Sequence, residues 1–186
     1  RLARRLEISP LSMVVLCILL TLLTACLVAS PALAADVRVK GDRLLVDGRP
    51  FLLKGIHYSA WLPGTGPAKD HPWPDDAVTE RDLEMIRKAN ANAVLLYDDA
   101  PPRVFDQAAG HGLMVLQAFS INWQMIHDED YFARRSQEIL RRVEQVRDRP
   151  NLLAWVLGNE VVEWVYEQRG SDFIAGRLER LARAGK

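Results

Sequence analysis

The chain has 186 residues, with 24 Lys+Arg against 24 Asp+Glu and therefore no formal net charge; 49% of residues are hydrophobic and 26% charged. That composition is globular and excludes disorder, collagen-like repeats or coiled coil as descriptions of the whole chain. An even balance with no basic cluster in the body argues against a nucleic-acid surface. Four scattered His and two Cys, without paired ligand spacing, argue against a structural zinc site.

Residues 1–34 stand apart. Arg1, Arg4 and Arg5 precede an apolar run from Leu11 to Val28, and Ala32-Leu33-Ala34 follows. A basic start, an apolar middle and an Ala-x-Ala site are the parts of a secretory signal, with cleavage expected after Ala34. The run is also just long enough for an uncleaved membrane anchor helix, and Leu23-Thr24-Ala25-Cys26 resembles a lipobox that would lipidate Cys26. Membrane contact is expected only through one of these two routes. The expected location is periplasmic, extracellular or membrane-anchored. Both Cys lie here, so the body from Ala35 to Lys186 holds none. That body carries 21 basic and 23 acidic groups, a net charge of −2.

In the body, Val37-Arg38-Val39 and Leu44-Leu45-Val46 flank a short polar turn, and Asp47-Gly48 then leads through Arg49-Pro50 to Phe51-Leu52-Leu53. Asp-Gly between apolar runs predicts a small antiparallel ribbon. Lys54 to Tyr58 reads as a further strand. The loop from Ser59 to Ala77 is long, and its Trp61 and Trp73 favour a functional role.

Strands and helices then alternate. Thr79 is expected to cap a helix on which Leu83, Ile86 and Ala89 share one face. Residues 92–97 form an apolar strand, and Pro102 opens a second helix closed by Gly110. Residues 113–119 form the next strand. Asp130 is expected to cap a helix on which Phe132, Ile139, Val143 and Val146 share a face, stopped by Pro150. Residues 152–157 form a fourth apolar strand, and a last helix starts near Ser171. Continuous apolar strands alternating with helices predict α/β architecture with a parallel sheet. Either an open doubly wound sheet or part of an eight-stranded barrel fits. No Gly-x-Gly-x-x-Gly follows any strand, so the dinucleotide-binding form lacks its fingerprint.

In either architecture the functional groups lie at the C-terminal strand ends. Those ends carry His57 and Tyr58, then Tyr97, Asp98 and Asp99, then Ser120, Asn122 and Trp123, then Asn159 and Glu160. Aromatic faces stack on sugar rings while Asp, Asn and His hydrogen-bond hydroxyls, so the mixture suits carbohydrate. Glu160 directly follows a buried apolar strand. Partial desolvation there would raise its pKa and suit it to protonate a leaving group, although a helix-initiating or surface-paired carboxylate has the same sequence. Arg134-Arg135 and Arg141-Arg142 interleave with Glu138 and Glu144 and are expected on a wet helix face.

Lys54-Gly55-Ile56-His57-Tyr58-Ser59, Asp82-Leu83, Ala89 to Val94, Gly110-His111-Gly112-Leu113, Arg149-Pro150-Asn151-Leu152 and Trp155-Val156-Leu157-Gly158-Asn159-Glu160 occur in a telling order. Together they resemble the first half of a clan A glycoside hydrolase barrel, closest to the family 2 catalytic domain, with family 72 β-1,3-glucanosyltransferases close behind. The resemblance implies a partial (β/α)8 barrel of about four βα units over residues 35–186, preceded by the ribbon and the signal or anchor helix. It implies a retaining glycosidase that needs no metal or cofactor and acts on an oligo- or polysaccharide. The acid/base position falls on Glu160, and Asn159 matches the Asn that holds the sugar 2-hydroxyl. His57, Tyr58, Trp61 and Trp123, with Tyr97 and Asp98, would shape the subsites. Leu95 departs from the family, which usually places Arg there. The nucleophilic Glu belongs on a seventh strand, so the 186 residues alone are expected to be an inactive fragment. A non-catalytic exported carbohydrate-binding protein and a β-glucanosyltransferase remain as alternatives. An esterase-like open sheet would want a Gly-x-Ser-x-Gly elbow, which does not occur.

Overall fold

A computed structural model describes residues 34–59, 73–97 and 99–185. Residues 1–33, on which the expected export signal and Cys26 fall, and Trp61 and Asp98 lie outside the described residues. Two sheets form. The first is an antiparallel ribbon of β1 (Val37–Lys40), β2 (Arg43–Val46) and β3 (Arg49–Pro50), in the order β1-β2-β3. Asp47 and Gly48 both take positive φ between paired Val46 and Arg49, as the Asp-Gly hairpin requires. The third strand is shorter than expected and stops at Pro50. Beyond it Asn92 takes the main chain over: its Nδ2 donates to the Leu52 carbonyl at 2.7 Å and its Oδ1 accepts from Lys54 N–H at 2.8 Å.

The second sheet is parallel throughout, with order β4-β5-β6-β7: β4 (Gly55–Tyr58), β5 (Ala93–Leu96), β6 (Met114–Phe119) and β7 (Leu152–Leu157). Helices α1 (Asp76–Lys88), α2 (Pro102–Gly110) and α3 (Glu129–Val146) connect consecutive strands. After β7 come α4 (Glu163–Arg169) and α5 (Ser171–Ala184). The expected α/β alternation is present, and α4 is an addition to it. Gly170, at φ 77°, separates α4 from α5.

Two helix starts lie earlier than the sequence suggests. Asp75, not Thr79, caps α1 by accepting the Val78 N–H at 2.9 Å. Thr79 is fully buried one turn inside, its hydroxyl donating to the Asp75 carbonyl at 3.0 Å. Asp128, not Asp130, caps α3 through the Tyr131 N–H at 3.0 Å, and that backbone bond holds its carboxyl below the usual range. Both helices sit behind runs of acidic residues. Only the residue with extended backbone can cap.

The core lies between one face of the parallel sheet and the helices, in two clusters. Tyr58, Val94, Leu96 and Val115 meet Leu83 and Ile86 of α1 and Val104, Phe105 and Ala108 of α2. Phe119 meets Phe132, Ile139 and Val143 of α3, with Val165, Ile174 and Leu181 beyond. Trp155 touches both clusters and stacks on Phe119 at 5.6 Å. Arg177 of α5 is 2% exposed, yet charged: its guanidinium lies 4.6 Å from the Phe132 ring and 5.0 Å from the Phe173 ring and donates to Glu129 Oε2 at 2.7 Å. Buried Asn151 donates to the carbonyls of Phe105 and Leu113, tying α2 to the start of β6 and β7. The opposite face differs. There His57, Leu95, Leu116 and Ala154 pair in one row across all four strands, and each is half-buried or exposed.

Tyr58 belongs to the core. Strand alternation turns it to the helical face, where it is 9% exposed, its hydroxyl donates to Asp82 Oδ2 at 3.0 Å and its ring lies 6.0 Å from Trp73. Burial first, and then the Asp82 charge and hydrogen bond, push the phenol well above its ordinary value. The folded chain therefore holds this proton more tightly than the unfolded chain. Its contribution to stability is complete below the unfolded value, about pH 10, and is lost as pH rises toward the folded value. Melting temperature should fall more steeply above about pH 10 in the native protein than in Tyr58→Phe. The variant should be about 1 kcal/mol less stable at neutral pH. Parallel melting curves for the two proteins across that range would remove this assignment.

Candidate active site at the strand ends

Near-constant parallel register brings the C-terminal ends of β4 to β7 to one rim. The His57 ring lies 5.0 Å from the Tyr97 ring, tilted by 55°. The Tyr97 hydroxyl accepts a hydrogen bond from Asn159 Nδ2 at 3.1 Å. The Asn159 main-chain carbonyl accepts one from Trp123 Nε1 at 2.6 Å. Asn159 is thus held twice, by its side chain from beyond β5 and by its backbone from beyond β6. The structure brings His57, Tyr97, Trp123 and Asn159 together, with Glu160 next in the chain. Tyr58 does not join them.

The turn that presents Asn159 uses unusual backbone. Gly158 has φ 79° and Glu160 φ 44°. A Cβ on Gly158 would lie 2.6 Å from Trp123 Cζ2, closer than any side chain fits. Glycine is required here for its conformation and for its lack of bulk. Positive φ at a non-glycine residue such as Glu160 is uncommon and concentrates at functional sites.

Two expectations change in the tertiary structure. Glu160 is exposed rather than desolvated, and among the described residues nothing donates to its carboxyl. The physical reason is local: β7 ends at Leu157, and the two positive-φ residues carry the chain out of the buried layer within three positions. Trp123 is 6% exposed, with its ring against Gly158 and its N–H spent on Asn159. It pins the rim from inside.

Sequence reasoning missed the groups that hold the rim loops. Arg135 of α3 is largely buried rather than on a wet face. It donates to both carboxylate oxygens of Asp99 at 2.9 and 3.0 Å, and its Nε to the Ser120 carbonyl at 2.9 Å. Burial opposes its charge, but Asp99 and Glu138 outweigh that and hold the guanidinium above its ordinary value. Nearby, the Tyr131 hydroxyl accepts from Asn122 N–H at 2.7 Å. A signal for Arg135 was present: it lies three residues after Phe132 and four before Ile139, on the buried stripe.

Away from the rim, a cavity of about 300 Å³ between α3, β7 and α5 is lined by apolar side chains including Ile139, Trp155 and Leu181, and holds no candidate residue. Among the described residues, no three His, Cys, Asp or Glu side chains are placed to hold a metal ion. No helix among them is long and apolar enough to cross a membrane.

No family model matches the chain. Over 135 residues it is 27% identical to β-galactosidase 2 of Enterobacter cloacae, a match covering 67% of this chain and 12% of that protein. Among solved structures it is similar to β-glucuronidase 2 of Bacteroides uniformis, with TM-score 0.65 and 16% identity over 82% of this chain and 19% of that one. It is also similar to a β-glucuronidase of Ruminococcus gnavus, with TM-score 0.63 and 18% identity over 81% and 25%. The chain therefore spans a quarter or less of the length of these relatives. The likeness of fold is to TIM-barrel-like glycosidases.

Gly158→Ala should lower stability by about 1–3 kcal/mol, from the positive φ and the clash with the indole. Combining it with Trp123→Leu should return the steric part and leave the conformational part, so the two effects will not add. Urea midpoints of the two single variants and the double variant measure this. Strict additivity would mean that the ring does not confine residue 158.

Proposed function

We propose that the chain forms the first four βα units of a barrel glycoside hydrolase of the family 2 type, cleaving β-glycosides with retention, and that Glu160 is its acid/base. The observation that supports this reading most directly is the double hold on Asn159 at the open rim, one residue before Glu160. With one Nδ2 hydrogen committed to Tyr97, the amide keeps its second N–H to donate and Oδ1 to accept at a sugar hydroxyl. The relatives, named for β-galactosidase and β-glucuronidase activities, favour the same chemistry.

In that mechanism protonated Glu160 donates to the glycosidic oxygen as the bond to the anomeric carbon breaks. A second carboxylate, about 5–5.5 Å away and contributed from beyond the four strands of the parallel sheet, attacks that carbon. Glu160, now ionised, takes a proton from the incoming water, which displaces the enzyme carboxylate. A sugar hydroxyl in place of water would make the outcome transglycosylation. The half-exposed row His57, Leu95, Leu116 and Ala154 would become the inner lining of the closed barrel. The export reading of residues 1–34 belongs to the same proposal: the mature protein should begin at Ala35, and N-terminal sequencing that finds the segment retained would exclude cleavage in favour of the anchored form.

Two observations favour a second reading, a non-catalytic carbohydrate-binding protein. Leu95 stands where the family resemblance expects Arg, and Glu160 is exposed without a partner. Glu160→Gln in the complete gene product separates the readings. As acid/base, its loss should reduce cleavage of phenyl β-glycosides by about 10²–10⁴-fold. Dinitrophenyl glycosides, whose leaving group needs no proton, should be cleaved to the covalent stage nearly as fast, with azide restoring turnover. Unchanged rates on both substrates would exclude Glu160 from catalysis. A native protein that binds oligosaccharide without turnover, as tightly in the Gln variant, would establish the second reading.

A further inference from the structure

Asn159 is held through two loops, and both loops are fixed by one side chain. Tyr97, which takes the amide, lies two residues before Asp99. Trp123, which takes the carbonyl, lies three residues after Ser120. Arg135 reaches both: two hydrogen bonds to the Asp99 carboxylate and one to the Ser120 carbonyl. Its side chain is 16% exposed and that of Asp99 30%, so water competes weakly for this pair. Glu138, at 3.3 Å from Arg135 Nη1, supplies a second carboxylate on the same helix.

We infer that Arg135 is a positioning residue, setting the place of Asn159 at the rim by clamping the loops after β5 and β6 to α3. The planar guanidinium matters as much as its charge. It spans two chain segments with three donors in a rigid fork, which a lysine ammonium on a flexible stem does not reproduce. Any effect on glycoside cleavage rests on the function proposed above; the effect on rim geometry does not.

The test uses the complete gene product, with Arg135→Lys, Arg135→Gln and Asp99→Asn. The first readout is hydrogen exchange at the Trp123 indole N–H, whose resonance is identified by its loss in Trp123→Phe. Arg135→Lys should melt near the native temperature yet exchange this proton about tenfold faster, a local opening without global unfolding. Asp99→Asn should do the same, and the double variant should add little. The second readout is kinetic: kcat on an aryl β-glycoside should fall by up to roughly 10²-fold while KM changes little, as expected for a misplaced catalytic group. Native exchange in both folded Arg135 variants would overturn the inference. If exchange accelerates while the native protein cleaves no glycoside, the clamp stands and the proposed function falls.

Discussion

Everything at the rim depends on the register of four parallel strands. Gly55, Ala93 and Met114 pair in line, as do His57, Leu95, Leu116 and Ala154. Parallel strands joined by helices must all end on the same side. Residues distant in sequence, His57, Tyr97, Trp123 and Asn159, therefore arrive at one edge without any long-range signal between them. The one irregularity in pairing, between Val115 and Leu116, lies at the opposite end of β6 and leaves the rim untouched.

Position alone does not hold a site. The turn after β7 is bent by two positive φ angles and closed against an indole ring, a conformation that a free chain would leave. It persists because the surroundings over-determine it: Trp123 holds the carbonyl of Asn159, Tyr97 its amide, and Arg135 anchors the loops from which both come. Strained backbone supported from several directions is expected where a side chain must be presented in one geometry. The same logic explains why Trp123 is buried. A ring used as a pin must be immobile, and its N–H cannot serve both Asn159 and a ligand.

The core gives this arrangement a rigid base. Trp155 contacts both hydrophobic clusters, so the α1–α2 half and the α3–α5 half of the sheet share one packed side chain. Arg177 shows how a charge survives burial there, with two phenyl faces and the Glu129 carboxylate replacing water.

Strand and helix periodicity, the Asp-Gly hairpin, the start of α2 at Pro102 and the rim residues themselves were legible along the chain, because each rests on near neighbours. Helix starts were less so, since Asp75 and Asp128 stand beside other residues able to cap and only backbone geometry selects between them. Tyr58 and His57 are adjacent and equally plausible by type; alternation about the strand sends one to the core and the other to the rim. The sequence by itself determined which residues lie at the strand ends and the α/β order that gathers them. Only the tertiary structure decided that Trp123 supports rather than exposes, that Arg135 is buried on Asp99, and that Glu160 stands in the open. Those outcomes depend on contacts across 36 positions, such as Trp123 to Asn159 and Asp99 to Arg135, and no local pattern encodes the distance between two loops.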